Sequence, residues 1–255
     1  MDIQLHYTES GTGTPLILLH GNGEDGSYFM RQTEYFSEKY RVIALDTRGH
    51  GKSPRGSEKI PFTIRQFAED LHDFMDERKI ARAHILGFSD GGNIALVFAL
   101  KYPERVDHLI LNGANLNPSG VKPSIQIPIE IGYRICKFRA DMAKKKAKGN
   151  GSDRMEAAVR KAEILGLMVN DPMIRLQELS ENKNPDFVKM PKLVLAGDKD
   201  MIKDEHTRTI YANLSNARLR VLKGSHFIAK ENPEEFNRAV EEFLQEDSVN
   251  ELYHR

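Results

Sequence analysis

The first 113 residues alternate between short apolar runs and longer segments with helical periodicity. Pro15–Leu19 and Arg41–Leu45 are mainly apolar runs, which are typical of strands buried on both faces of a parallel sheet. Residues 63–79 instead place apolar side chains at helical spacing, with Thr63 as the predicted N-cap. This alternation predicts an α/β fold, with a largely parallel sheet, helices on both faces and right-handed crossovers.

The alternation stops between residues 114 and 190 and then resumes. Pro118, Pro123 and Pro128 interrupt the early part of this stretch, a helix is predicted over 152–169, and no strand pattern occurs. The sequence therefore predicts three parts. Residues 1–113 form the first part of the core, 114–190 a helical lid insertion, and 191–255 the second part of the core.

Composition restricts the partners of the chain. Lysine plus arginine equals aspartate plus glutamate at 37 each, and this balance argues against nucleic acid as a partner. A single cysteine, Cys136, excludes a disulfide within the chain. No leader-like segment and no apolar run of roughly 18–20 residues is present. We expect a cytoplasmic protein with no membrane partner, and the oligomeric state stays open.

The sharpest local pattern is Gly87-Phe88-Ser89-Asp90-Gly91-Gly92, between a predicted strand and a predicted helix. A serine on so tight a turn has a strained backbone, and glycines two residues away on either side relieve the crowding. The turn would hold the hydroxyl above the carboxyl edge of the sheet. The alternative is a glycine-rich turn with an incidental serine, but the strand–turn–helix context favours Ser89 as a nucleophile.

A serine nucleophile needs a base and an acid that orients it. His226 follows the last predicted strand, and Asp200 follows the strand before it, so both are expected at the same edge of the sheet. The carboxylate would hold the histidine tautomer and stabilise the imidazolium. Asp198, two residues earlier, is the alternative acid.

The negative charge that develops on a substrate carbonyl needs fixed backbone donors. The N–H of Asp90, directly after the nucleophile, is one candidate. The N–H of Asn22, in the loop after the strand Pro15–Leu19, is the other. The neighbouring His20 is expected to be structural.

Together these motifs resemble the α/β-hydrolase superfamily over nearly the whole chain. The motifs, in the family's order, are His20–Gly23, Asp46–Ser53, Gly87–Gly91, Gly197–Asp200 and Gly224–Phe227. The resemblance implies an eight-stranded, mostly parallel sheet, a lid after the sixth strand, and neither a metal nor a cofactor. It also implies that Asp46 and Arg48 form structural pairs in a tight loop.

Asp90 is an unusual residue after the nucleophile. The Gly-x-Ser-Asp-Gly-Gly pattern is similar to that of the biphenyl-hydrolase-like esterases, and a carboxylate beside the site would attract a substrate ammonium. We therefore hypothesise a preference for amine-bearing esters. The alternative is that Asp90 caps the following helix, pairs with a nearby base or faces solvent.

The predicted lid is rich in apolar and basic side chains. The apolar residues are expected to cover the pocket; they are Ile125, Ile127, Ile129, Ile131, Tyr133 and Phe138. The basic residues are interpreted as a solvated helix face rather than a membrane contact. They are Arg134, Lys137, Arg139, Lys144, Lys145, Lys146 and Lys148.

The sequence thus predicts a serine hydrolase that cleaves small-molecule carboxylic esters through an acyl-enzyme intermediate. Carbon–carbon bond hydrolysis, lactone opening and acyl transfer use the same triad and stay open as alternatives. A ligand-binding sensor on a hydrolase scaffold is the alternative of another class, although the chain keeps all three triad residue types.

Overall fold

The computed structural model describes residues 1–146 and 153–253, with side-chain surroundings for 1–145 and 153–245. Within these residues, seven strands form one sheet in the order β1-β3-β2-β4-β5-β6-β7. They are β1 Tyr7–Ser10, β2 Pro15–Leu19, β3 Arg41–Leu45, β4 Ala83–Phe88, β5 Val106–Asn112, β6 Lys192–Gly197 and β7 Ala217–Leu222. Only β1 is antiparallel to its neighbour. The predicted α/β fold with a mostly parallel sheet is confirmed.

The expectation of eight strands is wrong for the described residues. The chain before β1 is tied to the rest of the protein by side chains instead of a further strand ladder. Asp2 pairs with Arg48 at 2.7 Å and accepts a hydrogen bond from the backbone N–H of Ser57. These contacts fix the first residues without strand pairing, so the sheet begins at Tyr7.

Helices cover both faces of the sheet. They are α1 Met30–Phe36, α2 Ile64–Glu77, α3 Asp90–Lys101, α4 Pro123–Lys146, α5 Asp153–Asn170, α6 Leu176–Ser180, α7 Pro185–Lys189, α8 Asp204–Ala212, α9 Ile228–Glu231 and α10 Pro233–Tyr253. Short 3₁₀ turns occur at Gly26–Phe29, Pro103–Arg105 and Pro118–Gly120.

Alternate residues of the central strands β2 to β6 enter two separate cores. In β2, Ile17 and Leu19 pack with the side chains of α2 and α3, whereas Leu16 and Leu18 pack with those of α1 and α10. This period of two is what a strand buried on both faces requires. The buried sheet therefore holds its carboxyl edge in a fixed geometry.

Helix α2 starts where the sequence places it. Thr63 has an extended backbone, and its side chain accepts a hydrogen bond from the N–H of Gln66. This N-cap satisfies one of the donors that the first turn of a helix leaves free. The prediction of Thr63 as N-cap is confirmed.

Helix α4 is the main element that the sequence patterns do not predict. Its two prolines suggest an irregular segment, yet the helix runs from Pro123 through Pro128 to Lys146. Proline is tolerated in the first helical turn. Pro128 removes the hydrogen bond to the carbonyl of Ser124, but both residues are exposed, so water can satisfy that carbonyl.

We call residues 114–190, between β5 and β6, the inserted segment. Its described residues contain α4 to α7. Ser152, the first residue of the helix predicted over 152–169, lies outside the described residues, and the division into 1–113, 114–190 and 191–255 stays a prediction. At the carboxyl end, α10 continues to Tyr253. No helix in the described ranges is both long and apolar enough to cross a membrane.

Candidate active site

The carboxyl ends of four parallel strands meet at one edge of the sheet. Ser89 follows β4, Gly113 follows β5, Asp200 lies three residues beyond β6, and His226 four residues beyond β7. Ligands of open α/β sheets bind at this edge. The three residues predicted as a triad are therefore brought to the same edge by the order of the strands.

Ser89 occupies a strained turn between β4 and α3. Its φ of 54° and ψ of −118° lie in a backbone region that residues other than glycine rarely adopt. The turn closes so tightly that a Cβ on Gly87 would lie 2.1 Å from the Gly91 oxygen, and one on Gly91 would lie 2.0 Å from the Leu19 oxygen. These positions require glycine, as the sequence pattern indicates.

His226 is oriented by Asp200. Its Nδ1 lies 2.7 Å from Oδ1 of Asp200, and both side chains are buried. Asp198, the alternative acid, is exposed and accepts a hydrogen bond from the N–H of Gly224 at 2.9 Å. The geometry thus supports Asp200 as the partner of the imidazole and gives Asp198 a role in holding the loop before His226.

The other nitrogen of the imidazole is available for a proton. Nε2 of His226 is buried and makes no hydrogen bond within the described residues. The ring lies beside Phe88, the residue before the serine, with ring centroids 4.8 Å apart. A buried nitrogen without a partner, on a ring that contacts the residue before the strained serine, suits a base that accepts the hydroxyl proton.

Gly113 makes room for the imidazole, and the sequence patterns do not single it out. It has a φ of 63°, and a Cβ there would lie 2.6 Å from Cε1 and 2.8 Å from Nδ1 of His226. The only signal in the sequence is a glycine directly after β5 at the catalytic edge. Its function depends on His226, which is distant along the chain.

Replacing Gly113 by alanine is therefore expected to displace the imidazole and lower kcat by about 10²-fold, since small misplacements of catalytic groups have effects of this size. Gly132→Ala is the matched control, because its Cβ would meet only Leu165, at 3.9 Å. Steady-state kinetics on both variants, with thermal unfolding to check the fold, measure the effect. Equal kcat values for the two variants would refute the role of Gly113.

The loop after β2 is fixed by its histidine. Nδ1 of His20 donates to the Gly21 carbonyl at 2.8 Å, and Nε2 accepts from the N–H of Thr47 at 3.1 Å. Burial lowers the pKa of His20, which keeps the ring neutral and able to accept. His20 thus joins the loops after β2 and β3 and positions the backbone of Asn22 near the site.

The side chain of Asn22 links three parts of the site. Its amide nitrogen donates to Oδ2 of Asp90 at 2.9 Å and to the Ile164 carbonyl of α5 at 2.8 Å. A cleft of about 640 Å³ lies beside this bridge and is lined by Asn22, Gly23, Arg160 and Ile164, among others. The cleft adjoins the candidate site through Asn22, and its lining includes neither Ser89 nor His226.

Asp90 is buried, with only 5% of its surface exposed. Burial raises the pKa of its carboxyl to about 6, and the hydrogen bond from Asn22 opposes that rise. Within the described residues it forms no ion pair with a lysine or arginine. The alternative that Asp90 faces solvent is therefore wrong.

The loop after β3 contains the expected structural pairs. Arg48 is buried and binds both carboxylate oxygens of Asp70 at 2.7 Å. Asp46 accepts hydrogen bonds from the N–H groups of Gly26 and Lys52, both at 2.8 Å. These contacts fix the loop that Thr47 joins to His20.

Comparison with known proteins agrees with this geometry. The profile of a family described as the alpha/beta hydrolase fold matches residues 14–128. A 2-hydroxy-6-oxononadienedioate/2-hydroxy-6-oxononatrienedioate hydrolase of Burkholderia vietnamiensis is 31% identical over 95% of this chain and 91% of its own length. The chain belongs to the α/β-hydrolase family.

Other members of the α/β-hydrolase family are similar over nearly the same length. Human serine hydrolase BPHL is 28% identical, covering 95% of this chain and 84% of its own. The crystal structure of the enol-lactonase from Burkholderia xenovorans LB400 superposes with a TM-score of 0.71 at 27% identity, covering 96% of this chain and 97% of that one. The protein is thus a hydrolase of this fold.

Proposed function

We propose that the chain hydrolyses a carbon–carbon bond beside a ketone, or the related bond of a lactone, in small carboxylate-bearing molecules. The observation that carries the hydrolytic step is the buried pair of His226 and Asp200, with Nε2 free at the turn of Ser89. The names of the Burkholderia vietnamiensis hydrolase and the enol-lactonase support this substrate class over the simple esters expected from the sequence.

The proposed reaction has two stages. Oγ of Ser89 attacks the carbonyl carbon while Nε2 of His226 takes the hydroxyl proton, and the backbone N–H groups of Asn22 and Asp90 stabilise the oxyanion. The bond to the leaving carbon or oxygen then breaks, and the imidazolium returns the proton to that atom. Water next attacks the acyl-Ser89 ester with His226 as base, which releases a carboxylic acid and restores the serine.

Arg160 supports a carboxylate-bearing substrate. It lines the cleft beside Asn22 and forms no ion pair with a carboxylate in the described ranges. A guanidinium without a partner beside the oxyanion loop can bind a carboxylate with two parallel hydrogen bonds. The dienedioate named for the Burkholderia vietnamiensis relative is a substrate of this charge.

A panel of substrates tests the proposal. It contains 2-hydroxy-6-oxononadienedioate, an enol-lactone and p-nitrophenyl acetate, with Ser89→Ala as the blank. We expect kcat/KM to be at least about tenfold higher for the dienedioate or the lactone than for the acetate. A higher kcat/KM for the acetate would instead support ester hydrolysis as the function. Tight, saturable binding without turnover would indicate a sensor.

Replacing Arg160 by glutamine is expected to raise KM for the carboxylate-bearing substrate about tenfold or more, with a smaller change in kcat, because a charged hydrogen bond is lost on binding. Arg154→Gln is the matched control. Arg154 is an exposed arginine on the same helix that does not line the cleft. The same KM for both variants would contradict a carboxylate site at Arg160.

A second candidate follows from Asp90. Its buried carboxylate has no cationic partner in the part of the chain that the structure describes. A substrate ammonium would complement that charge, which supports amine-bearing esters such as amino-acid esters. Human BPHL, one of the relatives, is itself named a serine hydrolase. The ratio of kcat/KM for phenyl valinate over phenyl isovalerate tests this candidate, and equal values would refute it.

The Asp90→Asn variant measures how much the buried charge of Asp90 destabilises the fold, separately from its proposed role in binding a substrate ammonium. The pKa of Asp90 is raised from 3.8 to about 6. In the pH window between these two values, the folded chain therefore holds a proton that the unfolded chain has released. The free energy of unfolding therefore falls as pH rises through it. Asp90→Asn is expected to be more stable than wild type by about 3 kcal/mol at neutral pH and equally stable below the ordinary carboxyl pKa.

Urea unfolding of wild type and Asp90→Asn across this pH range measures the difference, with Asp198→Asn as the control for an exposed aspartate. A stability difference that does not change with pH would contradict the titration of Asp90. Under the amine hypothesis, the same variant also loses the preference for phenyl valinate.

A further inference from the structure

The long helix α4 carries a row of apolar side chains on its outer face. The row consists of Ile127, Ile131, Ile135, Phe138 and Met142, which recur at intervals of three or four residues and are 39% to 66% exposed. Residues at this spacing share one face of a helix. We call these five residues the α4 row. Four of the apolar residues expected to cover the pocket, Ile125, Ile127, Ile131 and Phe138, are instead exposed.

The opposite face of α4 makes the contacts with the protein. Gln126 and Ala140 are buried there, and the Gln126 amide donates to the Met168 carbonyl of α5 at 3.2 Å. Single exposed apolar residues are ordinary, but a contiguous row of this size marks an interaction surface. The α4 row is therefore not needed to pack the helix.

Cations without partners border the row. Arg134, Arg139 and Lys145 are exposed and form no ion pair with the carboxylates of the described residues. The neighbouring lysines are already paired: Lys137 with Asp141 at 3.0 Å, and Lys144 with Glu58 at 3.3 Å. The face thus combines an apolar stripe with unneutralised positive charge.

We propose that the α4 row and its bordering cations bind the surface of an anionic lipid bilayer. An apolar face bordered by lysine and arginine is the pattern of helices that lie in the membrane interface, where apolar side chains enter the lipid and cations contact headgroups. A second copy of this chain would place the same unneutralised cations opposite each other, which opposes self-association through this face. The proposal replaces the expectation of no membrane partner.

The site lies below this face. Helix α4 packs on α5, and α5 contacts Asn22 through the Ile164 carbonyl. Binding through the α4 row would therefore hold the inserted segment between the lipid and the catalytic edge of the sheet.

Vesicle flotation tests the proposal with the full chain. We expect the protein to float with vesicles of equal parts phosphatidylcholine and phosphatidylglycerol, to bind phosphatidylcholine vesicles much more weakly, and to lose the difference as salt rises. The Ile131→Ser/Phe138→Ser variant should lower the partition coefficient by more than about tenfold. Arg134→Gln/Arg139→Gln should lower it about fivefold for each charge, on the anionic vesicles alone.

Met30→Ser is the matched control, since Met30 is 67% exposed on α1, away from the inserted segment; it should bind as wild type does. Fluorophosphonate labelling and cooperative unfolding show that the variants are folded. Failure of the wild type to bind anionic vesicles, or equal binding by the α4 variants, would overturn the proposal. A dimer in sedimentation velocity that Ile131→Ser/Phe138→Ser dissociates, without vesicle binding, would overturn it in favour of a second copy.

Discussion

Ser89→Ala is expected to lower kcat by about 10⁶-fold and to abolish labelling by a fluorophosphonate probe, because no other group can form the acyl-enzyme. Residual catalysis would come from the oxyanion donors alone. Ser225→Ala is the matched control. Ser225 precedes His226, but its hydroxyl donates to Glu231 at 2.7 Å, so labelling and turnover should persist.

The double variant Ser89→Ala/His226→Ala adds a sharper test. Residues that act as one unit are strongly non-additive, so the double variant should be about as slow as either single variant. Mass spectrometry of the labelled wild type should place the adduct on Ser89. An adduct on another residue, or turnover by Ser89→Ala within about tenfold of wild type, would exclude Ser89 as the nucleophile.

The shared edge of Ser89, Asp200 and His226 was predictable because strand order determines it. Ser89 and Asp200 each follow a strongly apolar strand, and His226 follows the mixed strand β7. The carboxyl ends of parallel strands share an edge. Once β4, β6 and β7 are assigned, their loops must meet. The glycines around Ser89 were predictable for a different reason: their function is local to the turn.

Features that depend on contacts between distant segments were not predictable. Gly113 matters only because His226 packs against it. The pKa of Asp90 is raised by burial, and a hydrogen bond from the distant Asn22 opposes that rise. Neither arrangement leaves a periodic signal in the sequence.

Helix α4 is a third feature that was not predictable from the sequence. Its exposed apolar row reverses the usual relation between hydrophobicity and burial, and Pro128 weakens its helical pattern. The apolar residues of the inserted segment could not be assigned to the pocket or to the surface from sequence, since both faces of the helix contain isoleucine or tyrosine. The contacts with α5 decide which face is outside.

Asp200→Asn is expected to lower kcat about 10⁴-fold while Asp198→Asn changes it less than about tenfold. The Asp200 carboxylate lies 2.7 Å from Nδ1 of His226 and also accepts the N–H of Ile202 at 2.8 Å. An amide in its place can keep the fold but cannot stabilise the imidazolium, and it can select the wrong tautomer. Asp198 accepts only from the Gly224 N–H among its described contacts, and an asparagine oxygen can do the same.

This pair of variants tests the choice of Asp200 over Asp198, two carboxylates that lie in one loop after β6 and differ by two positions. Single-turnover kinetics of acylation measure the effect directly, since the imidazolium forms in that step. Equal losses for both variants would mean that the loop, and not one carboxylate, supports His226. A loss confined to Asp198→Asn would transfer the orienting role to Asp198 and require the loop to rearrange when substrate binds.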